Sequence, residues 1–315
     1  MSTASPVPET YELTGDDAWE TLRRTGRGRL VADAFRRFRL ADGTSHSRSL
    51  AFLITLIAMQ ALIALVGLAS AIGEGQISKL IVRSLQAASP GPSGKILTQA
   101  VAQAHQASSP GLSTALILGL VGALVTGTMA MGQLERGLNR IYGVERDRST
   151  GRKYAHAFVL TITAGLFAAL AFAALAFGRA IADSLDSHFA LTLWNTLRWP
   201  VALLLAAGSI ALLFRWSPNR HQPGWSWLAF GSVIAVVLWA LSTLALAWFF
   251  QWSSTFGQTY GPLAGIVALM IWALLSSMAM LFGASVAAQL EAVRAGDPSV
   301  QDQRYAASQR VTSAA

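Results

Sequence analysis

The chain has 315 residues, of which 53% are hydrophobic and only 13% charged, and its formal net charge is +8. Because soluble domains carry about 25% charged residues, this composition excludes an ordinary soluble globular domain and indicates an integral membrane protein. There is no cysteine, which excludes a disulfide framework, a thiol nucleophile and a cysteine-ligated metal. Nucleic-acid binding is not predicted, because the basic residues fall in loops between apolar runs rather than on one folded face.

The N-terminal region is first polar and then amphipathic. Residues 1–14 are predicted to be disordered, and without a cleavable signal peptide the first apolar run is expected to direct insertion. Farther on, one helical face carries Leu30, Val31, Ala34, Phe35 and Phe38, and the opposite face carries Arg29, Asp33, Arg36 and Arg37. This N-terminal cytoplasmic amphipathic helix would lie either in the headgroup layer or on the ends of the spans.

Six apolar segments follow, at about residues 50–72, 112–131, 155–180, 197–214, 225–252 and 263–290. Each approaches or exceeds the roughly 20 residues that a helix needs to cross a bilayer. The sequence therefore predicts an all-α membrane protein, a bundle of six transmembrane helices in one domain over residues 15–294. A disordered cytoplasmic tail is predicted over residues 295–315. Pro200 is placed in the first turn of the fourth span, where its missing N–H costs nothing.

The loop between the second and third segments determines the orientation. Leu134, Leu138 and Ile141 recur at helical spacing, so the second helix is predicted to continue past the membrane surface, and Gly143 can end it. Of the 24 Lys and Arg residues, 19 lie at the N-terminus, in the second and fourth loops and in the tail. The positive-inside rule therefore predicts that these parts, including both termini, are cytoplasmic.

Two further features concern the packing of the spans. The first external loop, about residues 73–111, is long and carries short helical patterns, so it is predicted to fold over the outer mouth of the bundle. Small residues form stripes: Ala279, Gly283 and Ala287 in the last span, and Gly119, Gly122, Gly127 and Gly132 in the second. These stripes are interpreted as packing surfaces within one bundle, with a dimer interface as the alternative.

Chemistry-bearing residues are sparse. No Asp, Glu, Lys, Arg or His lies in the middle of any apolar segment. The hydroxyls of Ser and Thr within the spans are predicted to bond the carbonyl one turn back. The amide of Gln60 instead needs a neighbouring span or a polar cavity. The histidines show no metal-ligand spacing, and phosphate-loop and nucleophile-elbow motifs are absent, so no catalytic residue, metal or cofactor is predicted.

Several stretches together resemble the YihY/BrkB family of bacterial inner-membrane proteins. They are LERGLNRIYGVE (134–145), SPNR (217–220), TYG (259–261) before a helix that bears Trp272, and LFGASVAAQLE (281–291). The resemblance implies a six-helix protein of the bacterial plasma membrane with both termini inside. Members have been named as virulence factors and, historically, as a ribonuclease. The chain departs from the family at Ser285, where an acidic residue is usual, and at Met59–Gln60, where a proline is usual.

The leading hypothesis is that the protein transports or handles an amphipathic molecule such as a lipid. Arg140 and Arg220 would hold phosphate of anionic phospholipid headgroups, beside the family-like Asn139, while Tyr260 would line the outer mouth and Gln60 a polar cavity. The alternative is a non-catalytic scaffold that anchors an envelope complex or forms a homo-oligomer. A ribonuclease is disfavoured, because the carboxylate and histidine cluster of a metal-dependent nuclease is missing.

Overall fold

The computed structural model describes residues 4–72, 114–183, 188–252, 263–297 and 300. Within these ranges two short helices, α1 (Gly15–Thr25) and α2 (Arg27–Leu40), precede six long ones. The long helices are α3 (Gly43–Ile72), α4 (Thr114–Tyr142), α5 (Thr150–Asp183), α6 (His188–Trp216), α7 (Trp225–Trp252) and α8 (Leu263–Arg294). The predicted first external loop lies outside the described residues.

Five helices of the described part are long and apolar enough to cross a membrane, namely α3, α4, α5, α7 and α8. In α6 the apolar stretch is the shorter Pro200–Trp216. Large apolar side chains are exposed on the outside of these helices, including Leu118 (65% exposed) and Leu244 (67% exposed). Exposed apolar surface of this extent is typical of contact with lipid, so the prediction of an all-helical membrane protein is confirmed, and the sixth crossing stays a prediction.

The long helices pack in a ring that follows chain order. Each of α3 to α7 packs against the next helix, and α8 returns to pack against α3 and also touches α4. The glycine stripes allow the closest approaches in this ring. A Cβ on Gly119 of α4 would lie 2.5 Å from the backbone nitrogen of Ala64, and one on Gly283 of α8 would lie 2.6 Å from the Gly231 carbonyl oxygen. The interpretation of these stripes as packing surfaces within one bundle is therefore confirmed.

Hydroxyl groups in the spans mostly bond their own helix, as predicted. Ser276 donates to the Trp272 carbonyl at 2.7 Å and Ser277 to the Ala273 carbonyl at 2.8 Å. Thr243 differs, because its hydroxyl accepts a bond of 3.2 Å from the indole N–H of Trp272 and so joins α7 to α8. These hydroxyls are therefore satisfied within the bundle by carbonyl and indole groups.

Helix α2 lies against the ends of the long helices, chiefly α8. Leu30, Ala34 and Phe38 are buried there, while Val31 and Phe35 on the flank of the same helix are each 52% exposed. The sequence placed Arg37 on the polar face, and this is wrong: Arg37 is fully buried. It follows Leu30 by seven residues and Ala34 by three, so helical geometry turns it toward the packed face.

Pro200 also differs from its predicted position. Helix α6 begins at His188, so the proline lies inside the helix rather than in its first turn. Transmembrane helices tolerate a proline where neighbouring groups satisfy the freed carbonyl. Similarly, α3 begins at Gly43 and α5 at Thr150, earlier than the apolar runs, because polar residues extend both helices beyond the hydrocarbon-length segment.

The first fourteen residues were predicted to be disordered, yet residues 4–14 pack on the protein. The amide of Val7 donates to the Tyr142 carbonyl at 3.0 Å, and the amide of Ser5 donates to the Val300 carbonyl at 3.0 Å. Composition favoured disorder because the segment has few apolar side chains. It is held instead by backbone hydrogen bonds together with a few side-chain contacts, such as that of Thr10 with Glu291, and composition reports neither.

Candidate functional site

Among the described residues, the ion pairs that include a buried side chain gather at one end of the bundle, which we call the polar end. It comprises residues 134–148, 215–224 and 289–297, with the N-terminal segment 4–14 lying across it. Here α4 extends beyond its apolar part and stops at Tyr142, because Gly143 follows with a φ of 69°. A left-handed residue of this kind ends a helix. The predicted helical continuation through Leu134, Leu138 and Ile141 and its end at Gly143 are therefore confirmed.

Asn139 joins two loops at the polar end. Its amide oxygen accepts a bond of 2.8 Å from the backbone N–H of Asn219, and its amide nitrogen donates to Asp147 at 2.7 Å. The side chain of Asn219 in turn donates to the Arg146 carbonyl at 2.8 Å. Asn139 is only 1% exposed, and both its amide oxygen and its amide nitrogen are hydrogen-bonded. It therefore fixes the α6–α7 turn against the α4–α5 loop.

Two ion pairs strengthen the same junction. Arg148 pairs with the buried Glu135 at 3.2 Å and also donates to the Ser217 carbonyl at 2.8 Å. Lys153 pairs with Asp147 at 2.9 Å. Burial raises the pKa of Asp147, but the hydrogen bonds from Lys153 and Asn139 outweigh it, so this pKa lies below the usual 3.8.

A second, deeper group surrounds Arg220 and Glu291. Their side chains pair at 2.7 Å and are 3% and 0% exposed. The Arg220 guanidinium also lies 4.8 Å from the centroid of the Tyr142 ring, a cation–π contact. Among the described residues, the second guanidinium nitrogen, Nη1, and the second carboxylate oxygen, Oε2, of this pair have no hydrogen-bond partner. A buried pair that is only partly satisfied is expensive to maintain, which marks it as a candidate site.

Arg37 of α2 completes this group. It donates to the Gln289 amide oxygen at 2.9 Å and to the carbonyls of Ser5 and Ile141 at 3.0 and 3.1 Å. Burial lowers the pKa of Arg37 to about 10, because the charged form loses its water. The guanidinium thus links α2, α4, α8 and the N-terminal segment through neutral acceptors.

The N-terminal segment supplies further bonds to these charges. Thr10 donates to Glu291 at 2.7 Å, and the Pro8 carbonyl accepts a bond of 3.2 Å from Arg220. Tyr11 stacks on His221 with ring centroids 4.4 Å apart. Gly143 makes room for the segment, since a Cβ there would lie 2.6 Å from Pro6. Residues 4–14 therefore cover the Arg220–Glu291 pair.

The other predicted site residues lie apart. Arg140 is half-buried on α4, close enough to His46 of α3 to affect it electrostatically. Gln60 lies in the middle of α3, where a Cβ on Gly122 of α4 would meet its amide at 3.1 Å. The Gln60 amide oxygen is buried without a partner among the described residues. Tyr260 lies outside the described residues, so the structure brings only Asn139, Arg140 and Arg220 to the same end.

Sequence reasoning missed Arg37, Glu135, Arg148 and Glu291. Helical spacing could have found two of them, because Arg37 shares a face with Ala34, and Glu291 follows Ala284 and Ala287 at intervals of seven and four. Glu135 and Arg148 carry no such signal. Their pairing depends on how the α4–α5 loop folds back. Within the described ranges, no group of three or more His, Asp or Glu residues could hold a metal ion.

Comparison with known proteins finds relatives that are bacterial and named mainly as membrane proteins. YfkH of Bacillus subtilis (strain 168), named as ribonuclease-like, is 26% identical over 266 residues, which cover 82% of this chain and 94% of YfkH. UPF0761 membrane proteins of Rhodospirillum rubrum and Idiomarina loihiensis are 31% and 25% identical over 178 and 181 residues. These matches cover 55% and 58% of this chain but only 39% and 63% of the two relatives.

No solved structure matches the chain significantly. A family model does, and it spans the six long helices with the loops of the polar end, including the Asn139–Asn219 and Arg220–Glu291 contacts. This model, described as virulence factor BrkB, matches residues 34–308. The chain therefore belongs to the BrkB family of membrane proteins, as the resemblance of its motifs predicted.

Proposed function

We propose that this BrkB-family protein crosses the bacterial plasma membrane six times, with both termini and the polar end in the cytoplasm. The distribution of basic residues supports this orientation, because moving Lys and Arg across the membrane is costly. The sixth crossing would be α6, whose apolar Pro200–Trp216 stretch is shorter than the others. The amphipathic helix α2 would then lie at the cytoplasmic interface, with its exposed Val31 and Phe35 toward lipid.

Reporter fusions test the orientation. A reporter that is active only in the cytoplasm is inserted after Arg146, and a second one is fused at the C-terminus. Both should be active, and a periplasmic reporter at the same positions should be silent. A periplasmic position for Arg146 would contradict the proposal, since the loop that contains it sets the orientation of every span.

Within that topology, the protein binds anionic phospholipid headgroups at the polar end and moves or otherwise handles an amphipathic substrate. The observation that carries this proposal is a rim of exposed arginines at the end of lipid-facing helices: Arg36, Arg39, Arg48, Arg136 and Arg152. Anionic headgroups concentrate at the cytoplasmic surface, where each basic residue contributes about 1 kcal/mol of attraction. The apolar spans suit the acyl chains of a phospholipid, and the basic rim suits its anionic headgroup.

In this proposal the predicted site residues have different roles. Arg140, half-buried on α4, makes the first contact with a phosphate. Arg220 holds Glu291 through Nη2, and its unpartnered Nη1 is the atom that would bind a phosphate. Asn139 holds the loops around them. The unpartnered amide oxygen of Gln60 offers a polar contact midway along α3, and Tyr260 would line the outer mouth.

Reconstitution into liposomes tests lipid handling. Purified protein should bind phosphatidylglycerol vesicles and redistribute a labelled anionic lipid between leaflets, and Arg140→Gln should weaken both. Arg23→Gln on α1 is the matched control, because it removes an exposed charge away from the proposed site. Protein that neither binds nor redistributes any anionic lipid would overturn the proposal.

A scaffold for an envelope complex is the second candidate, and a feature of α1 favours it. A cleft of about 320 Å³ is lined by Asp16, Trp19, Glu20, Arg23 and Arg24. Trp19 is 49% exposed there, and an exposed tryptophan beside arginines is typical of a protein-binding hot spot. A photocrosslinker at Trp19 should capture a stoichiometric partner, and Trp19→Ala should abolish capture while lipid binding persists. Failure to capture any protein would exclude this role.

A nuclease role is not proposed for this chain. The ribonuclease-like name belongs to YfkH, and the described residues hold no cluster suited to a catalytic metal. We expect the pure protein to leave structured and single-stranded RNA intact in Mg²⁺ or Mn²⁺. Metal-dependent cleavage that disappears with one point substitution would contradict this expectation.

A further inference from the structure

A groove on the outer surface between α4 and α5 has no role in the sites described so far. Its volume is about 300 Å³, and it is lined by Leu124, Val125, Thr128, Met129, Tyr154 and Phe158. The hydroxyl of Thr128 donates to the Leu124 carbonyl at 2.7 Å, so it offers no free donor to the groove. Val125, Met129 and Phe158 are 50%, 51% and 44% exposed, which leaves the groove open to the surrounding lipid.

The shape of this lining suits an acyl chain better than another helix. Helices that associate in membranes meet through small residues, which let the backbones approach closely. On α4 the small residues are already used inside the bundle: Gly119 faces α3, and Gly127 lies against Thr161 of α5. The groove itself is lined by large side chains. A flexible hydrocarbon chain can follow such a surface, whereas a second helix would be held away from it.

An arginine lies at the head of the groove. Arg136 follows Met129 by seven residues on the same stripe of α4, about 10 Å along the axis toward the polar end, and is exposed. Helical side chains lean toward the N-terminus, so the Arg136 stem is directed back over Gly132 and the groove. Asp147, which acts on Arg136 electrostatically, already receives hydrogen bonds from Lys153 and Asn139. The positive charge of Arg136 is therefore available to an anion.

The aromatic ring at this level fits an interfacial site. Tyr154 belongs to the first turns of α5 and is 40% exposed. Its ring lies beside Gly132, where a Cβ would be 3.5 Å away. Tyrosine prefers the boundary between headgroups and hydrocarbon, which places the boundary between Arg136 above and Met129 below.

We propose that the α4–α5 groove is a binding site for one anionic phospholipid, with an acyl chain along Val125, Met129 and Phe158 and the phosphate on Arg136. This site depends on the membrane placement proposed above but not on transport. It holds its lipid whether or not the protein redistributes lipid between leaflets.

Native mass spectrometry of the full-length protein in detergent tests the site. Wild-type protein titrated with phosphatidylglycerol should retain one lipid through delipidation that removes the rest. Val125→Trp fills the groove and should lower retention about tenfold, while Leu118→Trp, at another exposed position of α4, should not. Arg136→Gln should reduce the preference for phosphatidylglycerol over phosphatidylcholine about fivefold, the factor that corresponds to one basic residue. Arg27→Gln is its control, because it removes an exposed charge on α2 that lies outside the arginine rim.

Photolabelling of the wild-type protein tests the site without any substitution. A phosphatidylglycerol with a photoreactive group on its acyl chain should label peptides that contain residues 124–129 and 154–158 in the wild-type protein. Labelling elsewhere, or equal retention by Val125→Trp and Leu118→Trp, would overturn the proposal. So would a wild-type dimer that Val125→Trp converts to a monomer, since the groove would then be an interface with a second copy. Loss of lipid redistribution alone would leave this result unchanged and count only against the proposed function.

Discussion

In the middle of the bundle the helices meet through glycines and uncharged hydroxyls, whereas at the polar end they are joined by buried charges. Gly119 and Gly283 allow backbone contacts in the middle, and Ser277 bonds its own helix. At the polar end, Arg220 and Glu291 pair across two elements with almost no exposure. In the part of the chain that the structure describes, charge is thus buried where several loops and a terminal segment supply its partners.

Removing one member of the buried ion pair should have the largest effect. Glu291→Ala leaves the Arg220 guanidinium buried without its carboxylate, and losing one partner of such a pair costs about 3–5 kcal/mol. The free energy of unfolding in mixed micelles is the measurement. Ser285→Ala is the matched control on α8, because its buried hydroxyl bonds only the Leu281 carbonyl. Equal stability of the two variants would show that the pair is not essential.

The double replacement sharpens this test. Arg220→Met with Glu291→Leu removes both charges, so no ion remains buried alone, and most of the lost stability should return. A double variant as unstable as Glu291→Ala would indicate that the contacts of Arg220 with Pro8 and Tyr142 matter more than its charge.

Replacing a glycine in the middle of the bundle should have the second largest effect on stability. Gly119→Leu places side-chain atoms against the α3 backbone at Ala64, and overpacking of this kind costs about 3 kcal/mol. Gly165→Leu on α5 is the control, because a Cβ there meets nothing within 4 Å. Thermal unfolding should separate them. If both variants melt like the wild type, the close α3–α4 crossing would be refuted.

Replacing Asn139, which joins the two loops, should destabilise the protein less. Asn139→Ala removes the acceptor of the Asn219 amide and a donor to Asp147, which costs about 1–3 kcal/mol for the buried groups left unpaired. Hydrogen exchange should rise in residues 144–149 and 217–221 and stay unchanged in the middle of α7. Thr163→Ala, which loses only bonds within its own helix, should show no such change.

The smallest effect concerns pH. The pKa of Asp147 lies below 3.8, so its pairing stabilises the fold above that value and is lost as the pH falls through the folded-state pKa. The α4–α5 loop should therefore loosen in acid, as hydrogen exchange would report. Asp147→Asn should remove this pH dependence and exchange faster already at neutral pH. A loop equally protected at pH 7 and pH 3 in the wild type would contradict the assignment.

Some features of the site followed from spacing alone, and others needed the folded chain. The continuation of α4 to Tyr142 and its end at Gly143 were predicted from the apolar repeat and the glycine. Arg140 and Arg220 were selected for their place in basic loops. However, the partner of Arg220 is Glu291, 71 residues away, and the partner of Asn139 is Asn219, 80 residues away. No local pattern reports contacts over such separations.

By itself the sequence determined that this protein is a bundle of apolar helices in a membrane, because twenty consecutive residues without charge have no stable place in water. It also determined the stripes through which the helices pack, since glycine is the residue that lets backbones approach. Which charges are buried depends on how the helices and loops pack together. The cost of burying Arg37 or Glu291 is offset by partners from α4, α8, the α6–α7 turn and residues 4–14, and those partners meet only when the ring of helices closes.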